Sequence, residues 1–343
     1  MATESKHPRI SAELADLSDA AVITLIEEAE PLGVGIGGST ARMSIHGSDV
    51  FVKQLPLTAR EQNDPTSTAN PFDLPVACHY GIGSPGFGVG REIAAHELTS
   101  RWVTSGATDI FPILYHWRVL DRACAVDVSE FDGDEAERQW GPYWPKVRDR
   151  VRALTAARSS VVLFLEYVPC TLESWLRQKF ESDAGGAAIS LAIRQLLAAA
   201  DWMEVHGLQH LDLHPRNILV HDGRFLLTDF GLALHRDFSL DDSERAFFAT
   251  HRGYDHDTGI SSLLQWVLAE TGINSRPERL AVLLAAAADP HTSQLDPVRA
   301  RFADAVDLIA QYAAVGVSTM TLFDRLMLDA SSASFGTEGA AAT

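Results

Sequence analysis

The sequence predicts an α+β protein with a small strand-rich lobe followed by a larger, mainly helical lobe. Short apolar stretches separated by glycine turns favour strands between Pro31 and Leu55. An unbroken apolar run over 160–168 favours a buried strand, and most of the chain after it has helical periodicity. A length of 343 residues is large for one hydrophobic core, which favours two lobes.

Four regions are expected along the chain. Within residues 1–29, 1–17 are expected to form a loose polar arm and 18–29 a short helix, and 30–168 form the strand-rich lobe. Residues 169–330 form the helical lobe, which includes one hairpin. Residues 331–343 have no core-forming pattern, which predicts a disordered tail.

Two insertions interrupt the strand-rich lobe. Residues 61–90 are rich in Asn, Pro, Ser and Gly and predict a long loop, whereas 127–150 are charged and predict a helical insertion. A helix at about 91–104 and a strand in DIFPILYHWRVL lie between them. Aromatic residues of the second insertion could line an acceptor site, although such clusters more often pack an insertion onto its lobe. They are Trp140, Tyr143 and Trp144.

The composition is that of a soluble globular protein, with 46% hydrophobic and 22% charged residues. A formal net charge of −18 disfavours binding to nucleic acid or to an anionic membrane and leaves room for a cationic substrate. The 3 cysteines form no C-x-x-C pair, which favours a reducing compartment. There is no signal-peptide pattern and no run of 18 apolar residues, so we expect a cytoplasmic protein.

A hairpin is the clearest local pattern in the second half of the chain. Asp222-Gly223 stands between two apolar stretches, which predicts a two-residue type I′ turn. This turn places Asn217 opposite Thr228 and leaves Asp229 one residue beyond. The expected strand pairs are His221 with Arg224, Val220 with Phe225, Leu219 with Leu226 and Ile218 with Leu227.

An oxygen-rich site is expected at the open end of this hairpin. Asn217 and Asp229 emerge there side by side, and Asp212 lies on the loop that leads to the same end. Amide and carboxylate oxygens suit Mg²⁺, a hard cation, and Asp212 is left to accept a proton. The alternative is that these residues only form turns and cap strand ends.

A second candidate site lies in LGVGIGGST, which contains Gly33, Gly35 and Gly38. Dinucleotide folds share this spacing but need a helix directly after the glycines, whereas strands follow here. Glycines that bend a hairpin let backbone N–H groups approach a phosphate. Lys53 ends the strand VFVK and is a candidate phosphate ligand, although most strand lysines extend to solvent from a sheet edge.

Lys53 would need an acidic partner to hold its side chain extended. Glu92 and Glu97, both in REIAAHELTSRWV, are the candidates. They are five positions apart and point in different directions on a helix, so only one of them can contact the lysine.

Together these segments resemble the protein-kinase-like superfamily over about residues 31–265. LGVGIGG is similar to the glycine-rich loop, VFVK to the strand-lysine motif and FLEYV (164–168) to the strand that enters the hinge. HLDLHPRN resembles the catalytic loop, and TDFG (228–231) resembles the metal-binding DFG motif. Five motifs in the expected order make the resemblance specific.

The resemblance implies a two-lobed protein-kinase-like fold that uses ATP and Mg²⁺. Asp212 would orient or deprotonate the acceptor hydroxyl, and Lys53 would pair with the α- and β-phosphates. Glu92 is the preferred partner of Lys53, because RExAA resembles the antibiotic phosphotransferases. The other implied roles are phosphate covering by Gly33, Gly35 and Gly38, adenine binding by the backbone of Glu166 and Val168, and Mg²⁺ binding by Asn217 and Asp229.

Departures from the protein-kinase pattern bear on regulation and on the acceptor. Leu211 stands where many protein kinases have Arg, so switching by loop phosphorylation is not expected. His214 replaces the usual Lys, DLHP resembles small-molecule phosphotransferases, and no Ala-Pro-Glu occurs between Asp229 and Asp255. Asp255 is expected to anchor the catalytic loop from the start of a helix, with Asp257 as the second candidate.

Three functions remain open at this level. A kinase acting on Ser or Thr of a protein or peptide is slightly favoured, since FLEYV, TLESWL and TDFGLA resemble the protein-kinase branch. A phosphotransferase acting on a small-molecule hydroxyl, such as that of an antibiotic, is the alternative. A nucleotide-binding pseudokinase is the third. It would be expected to lack at least one of four residues, all of which are present: Lys53, Asp212, Asn217 and Asp229.

Overall fold

We analysed a computed structural model of the chain, which describes residues 6–182, 184–331 and 335. The chain divides into two compact units, each built from two separate stretches of sequence. The tail predicted over 331–343 lies outside the described residues, apart from Ser331 and Phe335. The first unit comprises Met1–Val168 and Asp229–Arg245, and the second comprises Pro169–Thr228 and Ala246–Thr343.

Helices and strands alternate in the first half of the chain, and helices dominate the second. The first half contains α1 (Lys6–Asp16), α2 (Asp19–Glu28), β1 (Glu30–Gly35), β2 (Gly38–Ile45), β3 (Ser48–Leu57), α3 (Val89–Thr104), β4 (Leu114–Leu120), α4 (Asp134–Trp140), α5 (Trp144–Ala156) and β5 (Ser159–Glu166). The second half contains α6 (Leu172–Phe180), α7 (Gly185–His206), β6 (Leu208–Gln209), β7 (Ile218–His221), β8 (Arg224–Leu227), β9 (Leu234–His235), α8 (Asp242–Thr250), α9 (Tyr254–Glu270), α10 (Arg276–Ala288), α11 (Asp296–Arg301) and α12 (Val306–Leu328).

The first unit contains a five-stranded antiparallel sheet in the order β1-β2-β3-β5-β4. Successive side chains of a strand point to opposite faces. On β5, Val162 and Phe164 join a core formed with α1 and α2, whereas Val161 and Leu163 join a core formed with α3. Because both faces are covered, β5 is the unbroken apolar run seen in the sequence. The prediction of a mixed α and β chain is confirmed.

The prediction of a loose arm over 1–17 is wrong for the part that the structure describes. Residues 6–16 form α1, and Ile10 and Leu14 on it are fully buried against the sheet. Leu17 packs against the same core. These three residues follow the i, i+4, i+7 spacing of a helical face, but polar neighbours dominate the segment and obscured it.

The two insertions pack within the first unit. The segment over 61–90 is a long connection with a 3-10 turn at Val76–Tyr80, and the second insertion is helical, as predicted, in α4 and α5. Trp140 is buried and its Nε1 donates a hydrogen bond to Gly83 O at 3.0 Å, which joins the two insertions. Trp144 is also buried. These aromatic residues therefore pack the insertion.

In the second unit β7 and β8 form the predicted hairpin. All four expected pairs, from His221–Arg224 to Ile218–Leu227, are present. Asp222 and Gly223 have φ of +50° and +77°, as a type I′ turn requires. The predicted register is confirmed because two left-handed residues at the turn determine every pair behind it.

Helices α7, α9, α10 and α12 form the core of the second unit. Gly316 on α12 faces Leu283 of α10, where a Cβ would lie 2.9 Å from a leucine methyl group. By length and composition alone, Ala303–Leu328 could also span a membrane, since an 18-residue window has a mean hydropathy of 1.3. Core helices of soluble proteins meet the same criterion, and this helix packs against α9 and α10.

Candidate active site

Lys53 lies on β3, where it is in register with Thr40 of β2 and Leu163 of β5. Its side chain is buried, and Nζ lies 2.6 Å from Glu92 Oε1 and 2.9 Å from Asp229 Oδ1. The ammonium group thus contacts one carboxylate from α3 and one from the segment that begins after β8. The structure excludes a lysine that extends to solvent from a sheet edge, since β3 lies inside the sheet.

The structure pairs Lys53 with Glu92 rather than Glu97. Five positions on a helix correspond to a rotation of about 500°, so the two glutamates leave α3 on different sides. Glu97 Oε1 instead accepts a hydrogen bond from Trp117 Nε1 at 2.8 Å on neighbouring β4. Helical geometry allowed one partner only, and the packing of α3 on the sheet determined which one.

The charges of Lys53, Glu92 and Asp229, which form one cluster, stabilise one another unequally. Burial opposes the charge of Lys53, but the two carboxylates outweigh that penalty and raise its pKa. Burial raises the pKa of Glu92, the charge of Lys53 opposes this, and the charge of Asp229 adds to it. With all three groups ionised, the cluster carries one excess negative charge. A cation bound at Asp229 would balance that charge.

Asp229 has a left-handed backbone conformation, with φ of +67°. This conformation costs about 1 kcal/mol or more outside glycine, although Asp tolerates it better than most residues. Gly231 N donates a hydrogen bond to Asp229 Oδ1 at 3.4 Å. The next residue, Phe230, is fully buried and packs edge-on against His96 of α3, with ring centroids 4.9 Å apart. The buried ring therefore holds the strained turn that directs the Asp229 carboxylate to Lys53.

The glycines of the β1–β2 hairpin are glycine for different reasons. Gly38 has φ of +117°, and a Cβ there would lie 1.9 Å from Gln54 O, so the hairpin itself requires glycine. A Cβ on Gly33 would meet Thr40 Oγ1 at an ordinary 3.7 Å, and a Cβ on Gly35 would meet no described atom within 4 Å. Packing does not require glycine at these two positions.

The backbone of Glu166 and Val168 was expected to receive adenine. Glu166 N donates to Ile113 O at 2.8 Å, so the Glu166 N–H is already used and the expected contact with adenine falls to its carbonyl. Val168 N donates to no residue in the described ranges. One carbonyl and one N–H two residues apart form a donor and acceptor pair of the kind that a planar base needs.

In the second unit, Asn217 links the hairpin to the loop that carries Asp212. Thr228 N donates to Asn217 O at 3.0 Å, as the predicted register requires. Asn217 Nδ2 donates to Asp212 O at 3.1 Å and to Asp212 Oδ2 at 2.9 Å. The amide nitrogen is therefore used internally, while Oδ1 accepts no hydrogen bond from any residue that the structure describes. That oxygen is suited to a hard cation.

The described residues contain no group of three or more His, Cys, Asp or Glu side chains suited to a metal. An amide oxygen and one carboxylate nevertheless fit Mg²⁺, which is usually held by one or two protein groups together with water and substrate phosphates. Asn217 in the second unit and Asp229 in the first unit each present one such group.

The loop before Asp212 contains a second strained residue, Leu211, with φ of +66°. Left-handed backbone costs on the order of 1–3 kcal/mol for such a residue. Asp255 at the start of α9 stabilises it, since its carboxylate accepts hydrogen bonds from His210 N and Leu211 N, both at 2.7 Å. Burial outweighs these bonds and raises the pKa of Asp255 to about 6. The prediction of Asp255, rather than Asp257, as the anchor is confirmed.

Two histidines flank Asp212. His210 contacts the main chain, with Nε2 2.9 Å from Thr228 O and with Nδ1 accepting from Asp212 N at 3.3 Å. Because Nδ1 accepts, the proton of a neutral ring lies on Nε2. His214 Nε2 lies 3.7 Å from Asp212 Oδ1. This contact, like that between Lys53 and Asp229, was not predicted, because it depends on the folded path of the loop.

Comparisons with known proteins bear on the same segments. Residues 149–251 match the family model for the protein kinase domain. A stretch of 107 residues is 32% identical to cyclin-dependent kinase 7 of Caenorhabditis elegans and covers 31% of this chain and 29% of that protein. Another of 71 residues is 35% identical to serine/threonine-protein kinase PKH3 of Saccharomyces cerevisiae, covering 20% of this chain and 8% of that protein. The chain thus spans less than a third of each relative.

The matched range contains the hinge strand, the catalytic loop and TDFG, whereas the glycine hairpin and Lys53 lie before it. These matches show that this part of the chain is similar to the protein kinase domain. The mixed α and β structure of the chain, with a five-stranded antiparallel sheet, is compatible with the fold of that domain.

Proposed function

We propose that this chain is a kinase that transfers the γ-phosphate of Mg-ATP to an acceptor hydroxyl. The cluster of Lys53, Glu92 and Asp229, in which Lys53 and Glu92 are buried and Asp229 is partly exposed, is the observation that carries the proposal. A buried lysine held by two acids is costly to maintain as a structural feature. It becomes useful when phosphates and a metal ion share its charges.

Each residue has a role in this proposal. Lys53 binds the α- and β-phosphates while Glu92 holds it extended, and Asn217 and Asp229 hold Mg²⁺, which neutralises charge on the phosphates. Asp212 orients the acceptor hydroxyl and accepts its proton. The remaining residues serve binding: Gly33, Gly35 and Gly38 cover the phosphates, and the Glu166 carbonyl and Val168 N–H receive adenine.

The domain organisation and location belong to the same proposal. We propose a kinase-like arrangement of two lobes, with 30–168 as the strand-rich lobe and 169–330 as the helical lobe. We also propose a cytoplasmic protein that binds neither nucleic acid nor membranes, for which the net charge of −18 is the support.

Ser or Thr of a protein or peptide is the acceptor class that we favour. Both reported relatives are protein kinases by name, and FLEYV and TDFGLA resemble the protein-kinase branch. The acidic composition favours a cationic acceptor. A small-molecule hydroxyl is the second candidate, for which DLHP, with His214 beside Asp212, is the supporting observation.

Radiolabelled ATP tests the reaction and the acceptor together. The full chain is incubated with Mg-ATP alone, with a generic basic protein, and with a panel of hydroxylated antibiotics. We expect label on polypeptide that depends on Mg²⁺ and is lost in Asp212→Asn. Label only on small molecules would transfer the proposal to the second acceptor class. Binding of Mg-ATP in a thermal-shift assay without any turnover would indicate a pseudokinase and contradict the proposed function.

A further inference from the structure

A second buried charge cluster lies next to the first. Arg91 Nη2 lies 2.7 Å from Glu244 Oε1, and the two side chains are 1% and 0% exposed. Burying two charges is costly unless their remaining hydrogen-bonding groups are also satisfied. Arg91 Nε donates to Thr68 O at 2.8 Å, and Glu244 Oε2 accepts from Asp241 N at 3.2 Å. Arg91 Nη1 is buried without a hydrogen-bond partner among the described residues, so the cost of burying the pair is only partly offset.

This pair joins α3 to the stretch of the first unit that also carries Asp229. Arg91 directly precedes Glu92 on α3. Glu244 lies on α8, and β9 separates it from Asp229 within Asp229–Arg245. The bond between Arg91 and Glu244 therefore ties the start of α3 to the chain that follows Asp229.

The rest of the first turn of α3 is also held by the segment over 61–90. Glu61 Oε1 accepts a hydrogen bond from Val89 N at 2.9 Å, and Arg150 Nη1 of α5 lies 2.9 Å from Glu61 Oε2. A Cβ on Gly90 would lie 2.1 Å from Ser67 O, so the backbones touch there. The first insertion thus packs directly against the turn that carries Arg91 and Glu92.

The Arg91–Glu244 pair stays ionised at neutral pH. Burial opposes the charge of Glu244, but His79, whose Nε2 lies 3.5 Å from Glu244 Oε1, and the charge of Arg91 outweigh it and lower the pKa of Glu244. His79 stacks on Phe87 with ring centroids 3.8 Å apart, and burial lowers its pKa to about 4, so the ring is neutral. Arg91 and Glu244 are therefore both charged without any covalent modification of the chain.

We propose that Arg91 and Glu244 are positioning residues that hold Glu92 and Asp229 on Lys53. The proposal deepens the proposed function and rests on it for the role of Lys53 in nucleotide binding. Lys53, Glu92 and Asp229 are then held together permanently by a carboxylate of the chain itself. Neither a phosphate on the segment after Asp229 nor a partner protein is needed to align α3.

The test uses the full chain and three variants: Arg91→Met, Glu244→Gln and the double variant Arg91→Met/Glu244→Met. The double variant leaves no unpaired buried charge and so protects folding. Arg276→Met is the control, since it removes an ion pair with Asp324 in the second unit. Thermal unfolding separates loss of stability from loss of alignment.

Two readouts report alignment without requiring turnover. Acylation of Lys53 by an amine-reactive ester, followed by mass spectrometry, reports how firmly its ammonium group is held, and hydrogen exchange reports the first turn of α3. We expect each variant at Arg91 or Glu244 to raise both rates about tenfold, which is the effect of losing one charged hydrogen bond. Arg276→Met should leave the acylation and exchange rates unchanged, even if it lowers the unfolding temperature as much as the variants at Arg91 and Glu244 do.

Two outcomes overturn the positioning role. One is wild-type acylation and exchange in all three variants. The other is an increase that Arg276→Met reproduces at the same loss of stability. The dissociation constant of Mg-ATP is measured separately and should rise about tenfold in the same variants. If wild-type protein binds no Mg-ATP while the acylation result holds, the proposed function fails and the positioning role remains.

Discussion

The candidate site residues of the two units are stabilised in different ways. In the first unit, Lys53 is held by Glu92 and Asp229, through charges that are distant in sequence: Lys53 and Asp229 are 176 residues apart. In the second unit, Asp212 is held by Asn217 five residues away, through an amide and the main chain. The first arrangement depends on charge balance around a buried ammonium group. The second depends on local backbone geometry, so the two should respond differently to substitution and to pH.

The largest effect is expected at Asp212, where chemistry can be removed without altering the fold. Asp212→Asn keeps the size of the side chain and removes the proton acceptor, so kcat should fall by about 10²–10⁴. The unfolding temperature and Mg-ATP binding should change little. Steady-state kinetics and thermal unfolding measure both quantities.

Asp222→Asn is the matched control for this substitution, because Asn-Gly forms the same type I′ turn as Asp-Gly. It should retain wild-type turnover. An Asp212→Asn enzyme with near-wild-type kcat would exclude the proton-accepting role.

Lys53→Met tests how far the stability of the first unit depends on charge balance at Lys53. Removing the lysine leaves Glu92 buried beside Asp229, so the free energy of unfolding should fall by about 3 kcal/mol at pH 7. The loss should be smaller near pH 4, because burial raises the pKa of Glu92 and the acid can then be neutral. Urea unfolding at the two pH values measures the difference.

Lys146→Met is the control, since the Lys146–Asp73 ion pair is largely exposed and should contribute less than about 1 kcal/mol. An equal loss at both pH values in Lys53→Met would show that packing, rather than charge, dominates at Lys53.

Asp255 is the buried acid of the second unit, and its pKa of about 6 predicts a pH dependence of stability. The ordinary pKa of Asp is about 3.9, so between these values the folded protein holds a proton that the unfolded chain releases. The contribution of this group is therefore complete below about pH 4 and is lost as pH rises through 6. The span amounts to about 3 kcal/mol.

Asp255→Asn cannot titrate and should lack this decrease between pH 4 and pH 7, which urea unfolding of both proteins measures. Asp257→Asn, two residues away, is the matched control, since the Asp257 carboxylate contacts His256 instead of the loop. A decrease in Asp255→Asn as large as in the wild type would assign the titration to another group.

The smallest effects are expected in the glycine hairpin. Gly35→Ala has room for its methyl group and should change stability by less than about 1 kcal/mol, while the dissociation constant of Mg-ATP rises severalfold. Gly38→Ala should instead destabilise the protein, because φ is +117° and Gln54 O blocks the Cβ. Isothermal titration and thermal unfolding separate the two. Equal ATP affinity in Gly35→Ala and wild type would argue against phosphate binding at the hairpin.

The parts of the site that could be predicted are those set by neighbours in the sequence. The register that brings Asn217 opposite Thr228 followed from Asp222-Gly223, because a two-residue turn determines every pair behind it. The strand-lysine pattern identified Lys53 as a candidate in the same way. Helical geometry showed that one of two glutamates would contact it, but not which one.

Other features depended on residues that meet only in the folded chain. The helical face of α1 was concealed by polar neighbours and became evident only against the sheet. Arg91 and Glu244 are 153 residues apart, and neither stands in a pattern that indicates a partner.

Turn chemistry and periodicity act over a few residues, so the sequence by itself determined the hairpin, the glycine turns and the chemical types at the site. The tertiary structure alone decided which groups the charges contact: Glu92 and Asp229 meet Lys53, Glu244 meets Arg91, and Asp255 meets the main chain at Leu211. The reason is physical. A buried charge is stabilised by whichever opposite charge or N–H group packing brings within about 3 Å, and that distance depends on the whole fold.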